Sequence, residues 1–251
     1  MAASFERRLY AHRGASAQVP ENTIAAFDRA LRDGATALET DVHLTSDGHV
    51  VISHDGSGRR RAGVDKLIAR CTLDEVRGWI VGRTAELGDL TIPTLSEALE
   101  RFPHARFNVD IKPRSASAAL RVMRVIADHD AARRVTLASF HDVVLAALKA
   151  NRYPGEFCLS PREVMQLVFA PLWLSRLVPP RGTAVQIPTH ARAIRLDRRE
   201  FIQRCHSLGL RVDYWVINDP DEAKRLLELG ADGIVTNDPA AIAPVMGLAR
   251  S

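Results

Sequence analysis

The sequence is short of cysteine, short of lysine and without a long apolar run, and each shortage removes a class of protein. Its three cysteines, Cys71, Cys158 and Cys205, are too scattered for a disulfide framework, and no Cys-x-x-Cys spacing offers a zinc site. They read as buried thiols of a reducing compartment. No stretch of about 18 uninterrupted apolar residues is available to span a bilayer, and Met1 to Arg8 lack the apolar run of a secretory leader. The expected location is the cytoplasm. The formal charge of +4 is scattered, with no basic stripe interleaved with aromatics, so nucleic acid is not an expected partner. A mild positive excess suits an anionic small-molecule substrate, or a weak attraction to an anionic membrane surface. Nothing in the composition speaks to oligomeric state. Lysine occurs only at Lys66, Lys112, Lys149 and Lys224, arginine supplying the other basic positions, so a lysine at 112 asks for a reason.

What is present is a chain of 251 residues, 46% hydrophobic, long enough for one large core. Short apolar runs alternate with helical periodicity. Strands are expected at Arg8–His12, around Glu39, at His49–Ser53, Arg106–Lys112, Arg134–Ser139, Glu156–Ser160, Ala184–Ile187, Arg211–Val216 and Gly233–Thr236. Helices are expected after a cap at Asn22 or Thr23, after one at Thr94 or Ser96, and over Ala116–Asp128, Asp142–Ala150, Pro161–Leu177, Asp197–Leu208, Pro220–Leu229 and Pro239–Leu248. About eight strand-helix units predict an α/β fold, a (β/α)8 TIM barrel. Residues 56–92, punctuated by glycine, interrupt the alternation and read as a small inserted cap after the second strand, within a single domain spanning 1–251.

The polar residues fall where such a barrel builds its chemistry, at the C-terminal ends of strands. Glu39 and Asp41 share one face of their strand, and two carboxylates side by side call for a positive partner. Asp110 and Lys112 repeat the spacing, so three acids can surround a hard divalent cation with an ammonium beside it. A cation together with Lys112 and Arg13 suits a phosphate whose charge grows as it is attacked. His12 and His54 supply imidazoles to take and to give a proton. This is equipment for cleaving a phosphodiester.

In order, His12-Arg13-Gly14, Pro20-Glu21-Asn22-Thr23, Glu39-x-Asp41-Val42, Thr45-x-Asp47-Gly48, His54-Asp55, Ile92-Pro93-Thr94-Leu95, Asp110-x-Lys112, Trp215-x-x-Asn218 and Asp232-Gly233-Ile234-x-Thr236-Asn237-x-Pro239 resemble the motifs of the glycerophosphodiester phosphodiesterase family. The resemblance runs nearly end to end. It implies a TIM barrel with an insertion after the second histidine, and one divalent ion, Mg²⁺ or Ca²⁺, held by Glu39, Asp41 and Asp110. It further implies His12 and His54 as the acid-base pair, with Arg13 and Lys112 on the phosphate and Asn22 alongside. The chain departs from the family at three places: Asp110 where Glu is common, a glycine- and arginine-rich Gly56–Arg61, and Thr236-Asn237 where Thr-Asp is usual.

The expected reaction is hydrolysis of a glycerophosphodiester to an alcohol and sn-glycerol 3-phosphate. Two other readings use the same residues: a lysophospholipase D acting on lysophospholipids, and a non-catalytic phosphate-binding barrel. Trp215 serves either as core packing or as a wall for the substrate's alcohol, Asn218 as a cap for the helix at Pro220, Ser139 as a hydrogen-bond donor at the mouth, and His43 as a rim residue. Val164 to Leu174 is either a barrel helix or a lipid-contacting rim. We expect the barrel helix, so that replacing Phe169 and Trp173 would open cavities and unfold the protein.

Overall fold

The computed structural model describes residues 5–248. In chain order the strands are β1 Arg8–His12, β2 Ala37–Leu44, β3 Val50–Ile52, β4 Ile80–Thr84, β5 Gly88–Thr91, β6 Arg106–Ile111, β7 Val135–Ala138, β8 Ala184–Ile187, β9 His190–Ala191, β10 Ile194–Arg195, β11 Arg211–Tyr214 and β12 Gly233–Thr236. The helices are α1 Ile24–Arg32, α2 Arg59–Ala62, α3 Leu73–Arg77, α4 Leu95–Arg101, α5 Ala116–Asp128, α6 Asp142–Ala150, α7 Pro161–Phe169, α8 Leu172–Leu177, α9 Arg199–Ser207, α10 Pro220–Leu229 and α11 Pro239–Ile242.

Parallel pairing runs β7-β6-β2-β1-β12-β11-β8. The eighth stave is Phe157 and Cys158, which bridge Leu137 of β7 and Ala184 of β8, both in parallel. The sheet thereby closes into a TIM barrel. This stave was expected to run from Glu156 to Ser160; its backbone bonds are confined to Leu137, Thr183 and Ala184 on its two neighbours.

Local chemistry sets the helix starts. Thr23, one of two candidate caps, accepts the Ala26 N–H ahead of α1, and Thr94 and Ser160 form reciprocal capping boxes with Glu97 and Glu163. Asp219, rather than Asn218, caps α10 by accepting the Asp221 N–H. The expected helix Pro161–Leu177 is broken. Pro171 has no N–H to donate and drives Ala170 into an extended conformation (ψ 146), so α7 ends at Phe169 and a separate α8 begins at Leu172. In α7, Val164 and Leu167 are buried, whereas Phe169 is 69% and Trp173 63% exposed. The expectation that both aromatics are interior is therefore wrong: the break at Pro171 turns them away from the barrel. The last helix is likewise shorter than expected, a 3-10 turn over Ala243–Met246 following α11.

Outward-facing β residues such as Leu38, Val109, Leu137, Val185, Val212 and Ile234 pack beneath the helices in two apolar clusters. The barrel interior is ionic. Arg8 pairs with Glu156, and Arg211 pairs with both Glu156 and Asp213. Gln186 links Asp213 to Asn108. Gly233 is required here, because a Cβ would stand 2.3 Å from the Asp213 carboxylate and 2.9 Å from the Tyr10 ring.

Residues 56–92 contain α2, a 3-10 turn, α3 and the antiparallel β4–β5 hairpin. The hairpin escaped the reading of periodicity because Gly82 and Gly88 interrupt it. Ile68, Val76, Trp79 and Val81 join Val51 and Ile92 in a separate apolar cluster. A Cβ on Gly82 would lie 2.4 Å from Pro20, so the hairpin rests directly on the loop ahead of α1.

Candidate active site

Strands β1, β2 and β6 end together, and their alternation turns His12, Glu39, Asp41, Asp110 and Lys112 into the same barrel mouth. The register sets His12 beside Glu39 and Asp41 beside Asp110. Just beyond β1, Arg13 takes a left-handed conformation (φ 58) and Asn22 another (φ 58), the Asn22 N–H donating to the Arg13 carbonyl at 2.9 Å. Such φ values are uncommon outside glycine and concentrate at functional sites. Here they fold the Arg13 side chain back over Asp41, 3.3 Å away.

The charges form one connected system. The Lys112 ammonium stands between Asp41 and Asp110, 2.7 Å from each. The Asn22 amide donates to Asp41 at 3.1 Å while its oxygen accepts from the Thr40 hydroxyl at 2.8 Å, so Asn22 is committed to orienting Asp41. Burial acts against the charge on Asp41, but Lys112 and Arg13 outweigh it and hold this carboxyl below its usual range. Burial, then the neighbouring Asp41 and Asp110, push the Glu39 carboxyl well above the usual carboxylate range. Burial also raises Asp110, with Lys112 offsetting only part of the effect. For Lys112 burial opposes the charge, and the two aspartates win, leaving it above its usual value.

Among the described residues no three carboxylate, imidazole or thiolate groups are drawn into a cage around one point. The donor set nevertheless fits a hard divalent cation. One oxygen of Asp110 is buried without a hydrogen-bond partner, and burial and then the neighbouring acids raise the Glu39 carboxyl, a cost that a cation would relieve.

The two histidines are held differently. His12 Nδ1 lies 2.7 Å from Asn237 Oδ1, leaving Nε2 turned toward Glu39, 4.0 Å away. Burial lowers the His12 pKa, against the hydrogen bond to the Asn237 oxygen, which raises it. His54 Nδ1 lies 2.8 Å from Asp55. Arg60, on α2 of the inserted segment, bridges Asp55 and Glu21 at 2.5 Å each, and Glu21 is 3.3 Å from Arg13. The inserted segment thus reaches both His54 and Arg13 through one arginine. Asp55, Arg60 and Glu21 were not among the expected site residues. Asp55 could have been found by its adjacency to His54; Arg60 was hidden in a run of three arginines.

Of the remaining expected residues, Ser139 donates to the Ile111 carbonyl at 2.8 Å. His43 sits 3.2 Å from the His54 carbonyl. Asn218 accepts the Thr236 hydroxyl and the Asn237 N–H, and so fixes the strand end that carries Asn237. Trp215 is half-buried, edge-on to Phe140 with ring centroids 6.2 Å apart. His12, Arg13, Ser16, Glu21, Asn218 and Asn237 line a polar cavity of about 470 Å³. A larger cavity of about 730 Å³ lies between α1, α4 and β5; its lining includes the mutually paired Arg77 and Glu97 and none of the mouth residues.

A closed parallel barrel whose mouth gathers carboxylates, basic side chains and His12 beside a polar cavity is the architecture of an α/β-barrel enzyme. The chain belongs to the glycerophosphoryl diester phosphodiesterase family, whose sequence pattern it matches over residues 12–241. It is 29% identical over 247 residues to the glycerophosphodiester phosphodiesterase of Caldanaerobacter subterraneus subsp. tengcongensis, covering 93% of this chain and 95% of that one. It is 27% identical over 269 residues to the lysophospholipase D GDPD1 of Rattus norvegicus, covering 95% of this chain and 85% of that one. A phosphodiesterase of Oleispira antarctica, solved with its product sn-glycerol 3-phosphate, superposes with a TM-score of 0.76 at 27% identity, covering 96% of each chain.

Proposed function

We propose that this protein hydrolyses glycerophosphodiesters to an alcohol and sn-glycerol 3-phosphate by acid-base catalysis between His12 and His54. The observation that carries the reading is the convergence of His12, Glu39, Asp41, Asp110, Arg13 and Lys112 at one barrel mouth, with His54 directly following Ser53, whose N–H bonds the Asp41 carbonyl. His12 is the base. Its Nδ1 is engaged by Asn237, and burial keeps the ring neutral, so Nε2 has a lone pair to take the proton of the attacking oxygen, whether that of water or of the glycerol 2-hydroxyl. His54 is the acid, oriented by Asp55, and returns a proton to the alcohol as its bond to phosphorus breaks. Arg13 and Lys112 balance the growing charge on the phosphoryl oxygens.

Glu39, Asp41 and Asp110 would hold a divalent ion, Mg²⁺ or Ca²⁺. Such an ion supplies positive charge to the non-bridging phosphate oxygens. The 56–92 segment acts as a cap whose Arg60 holds the His54–Asp55 pair in place. Phosphorus NMR on glycerophosphocholine tests the whole reading: release of glycerol 3-phosphate that depends on added Mg²⁺ or Ca²⁺ is expected, and no turnover with either ion would end it.

A second reading is favoured by one observation. Phe140, 61% exposed, and Trp215 form an aromatic wall beside the mouth, and such a wall suits the acyl chain of a lysophospholipid. On that reading the product is lysophosphatidic acid, and the same NMR assay with a lysophospholipid separates the two.

A further inference from the structure

Five large apolar side chains lie exposed within ten residues of α7 and α8: Phe169 at 69%, Trp173 at 63%, Leu174 at 41%, Leu177 at 71% and Val178 at 73%. Scattered exposed apolar residues are ordinary; a contiguous cluster of this kind marks an interaction surface. Its charge is one-sided. No aspartate or glutamate occurs between Glu163 and Asp197, while Arg176 and Arg181 are exposed and form no ion pair among the described residues.

Geometry puts this cluster at the end of the barrel opposite the mouth. The chain enters α7 at Ser160, immediately after the Phe157–Cys158 stave, and runs back along the barrel, about 1.5 Å per residue. Arg204, near the C-terminal end of α9, donates to the Ala170 carbonyl and to the Ser175 hydroxyl. The Thr183 N–H then bonds the Phe157 carbonyl where β8 begins. The start and middle of α8 are therefore held against the base, and the chain that follows it returns there at Thr183.

We propose that α8 and its flanks dock this protein on an anionic membrane surface, with the apolar side chains in the headgroup boundary and Arg176 and Arg181 against lipid phosphates. Exposed tryptophan, phenylalanine and leucine, with arginines beside them that have no ion pair among the described residues, suit a segment that lies in a membrane interface. A second copy of the chain is the less suitable occupant, because a two-fold contact through this patch would bring its unpaired arginines together without a carboxylate. Docking by the base leaves the mouth open to the aqueous phase. The surface thus holds the enzyme near lipid-derived diesters and is separate from substrate entry.

The test is co-sedimentation of the purified full-length protein with vesicles of phosphatidylglycerol and phosphatidylcholine, or of phosphatidylcholine alone, with glycerophosphocholine turnover measured alongside. Wild type is expected to pellet with the anionic vesicles and to be released by salt. Phe169→Ser with Trp173→Ser should weaken binding about tenfold or more, since two interfacial aromatics are lost. Arg176→Gln with Arg181→Gln should remove the preference for anionic vesicles. Both variants should keep the wild-type melting temperature and turnover. Wild type that stays in solution with anionic vesicles overturns the proposal, as does an aromatic variant that pellets equally. So does a concentration-dependent dimer that the aromatic variant abolishes. Turnover reports on the proposed activity independently of all these outcomes.

Discussion

His12 Nδ1 lies 2.7 Å from the side-chain oxygen of Asn237, a neutral amide at the end of the last barrel strand. Asparagine here fixes the imidazole without adding negative charge, so burial is left to lower the His12 pKa and the ring is neutral near pH 7.

Asn237→Asp should reverse this balance. A carboxylate against Nδ1 favours the imidazolium, and the His12 pKa should rise. Since the base works only when neutral, the acid limb of kcat/KM, which in wild type lies below about 6.5, should move to higher pH. An acid limb that stays in place would remove His12 as the base.

The carboxylates give a second pH signature. A group whose folded pKa is raised is stabilising below its unfolded value, near 4.5 for glutamate, and loses that contribution as pH rises through the folded value. Glu39 and Asp110 are both raised. The metal-free protein should therefore lose thermal stability as pH climbs above the ordinary carboxylate range, and added Mg²⁺ or Ca²⁺ should restore it most at the alkaline end. Glu156 has the opposite sign: Arg8 and Arg211 overcome its burial and hold it at about 2, so its contribution disappears only in strong acid. Thermal melts with and without chelator from the carboxylate range upward decide the point; a metal effect independent of pH would refute the assignment of Glu39.

Asp41→Ala should cut kcat by about 10²-fold or more, because it removes the acid that Lys112, Arg13 and Asn22 all address. The fold should survive, since Lys112 keeps Asp110 and Arg13 keeps Glu21. Steady-state kinetics on a soluble diester, with a melt to establish folding, measures both halves.

Arg60→Ala should release Asp55 and Glu21 together and lower kcat roughly tenfold, a part of what losing the acid itself would cost. Arg60→Lys, which keeps the charge but cannot hold both carboxylates in one planar fork, should recover only part. Equal turnover in all three proteins would make the inserted segment irrelevant to His54.

What the sequence reveals, and what it hides, follows from whether the cause is local. Strand alternation places Glu39 with Asp41 and Asp110 with Lys112, and strand ends put His12 in the same mouth, so these positions were legible. The Arg60 bridge joins an exposed helix to residues at 21 and 55, and no periodicity encodes it. The break at Pro171 was readable in principle, but only the folded chain shows which side of α8 its neighbours leave uncovered. The ionic barrel interior was equally hidden: Arg8, Glu156 and the Arg211–Asp213 pair belong to three different segments, and each alone looks like an ordinary strand charge.

That interior supplies the last prediction. Asp213 is fully buried and Arg211 nearly so, 3.1 Å apart, with Glu156 as the second partner of Arg211. Removing one member of a buried pair leaves the other charge in a poor environment, so Asp213→Ala should cost about 3 kcal/mol. For a domain of this size that corresponds to a fall in Tm of about 10 °C. Asp213 lies a layer below the mouth and touches none of His12, Glu39, Asp41, Asp110 or Lys112, so kcat below the transition should stay near wild type. A matching collapse of kcat at full folding would mean that the charge layer steers the catalytic carboxylates as well as supporting the barrel. Unchanged Tm would mean that Glu156 and solvent suffice to hold Arg211.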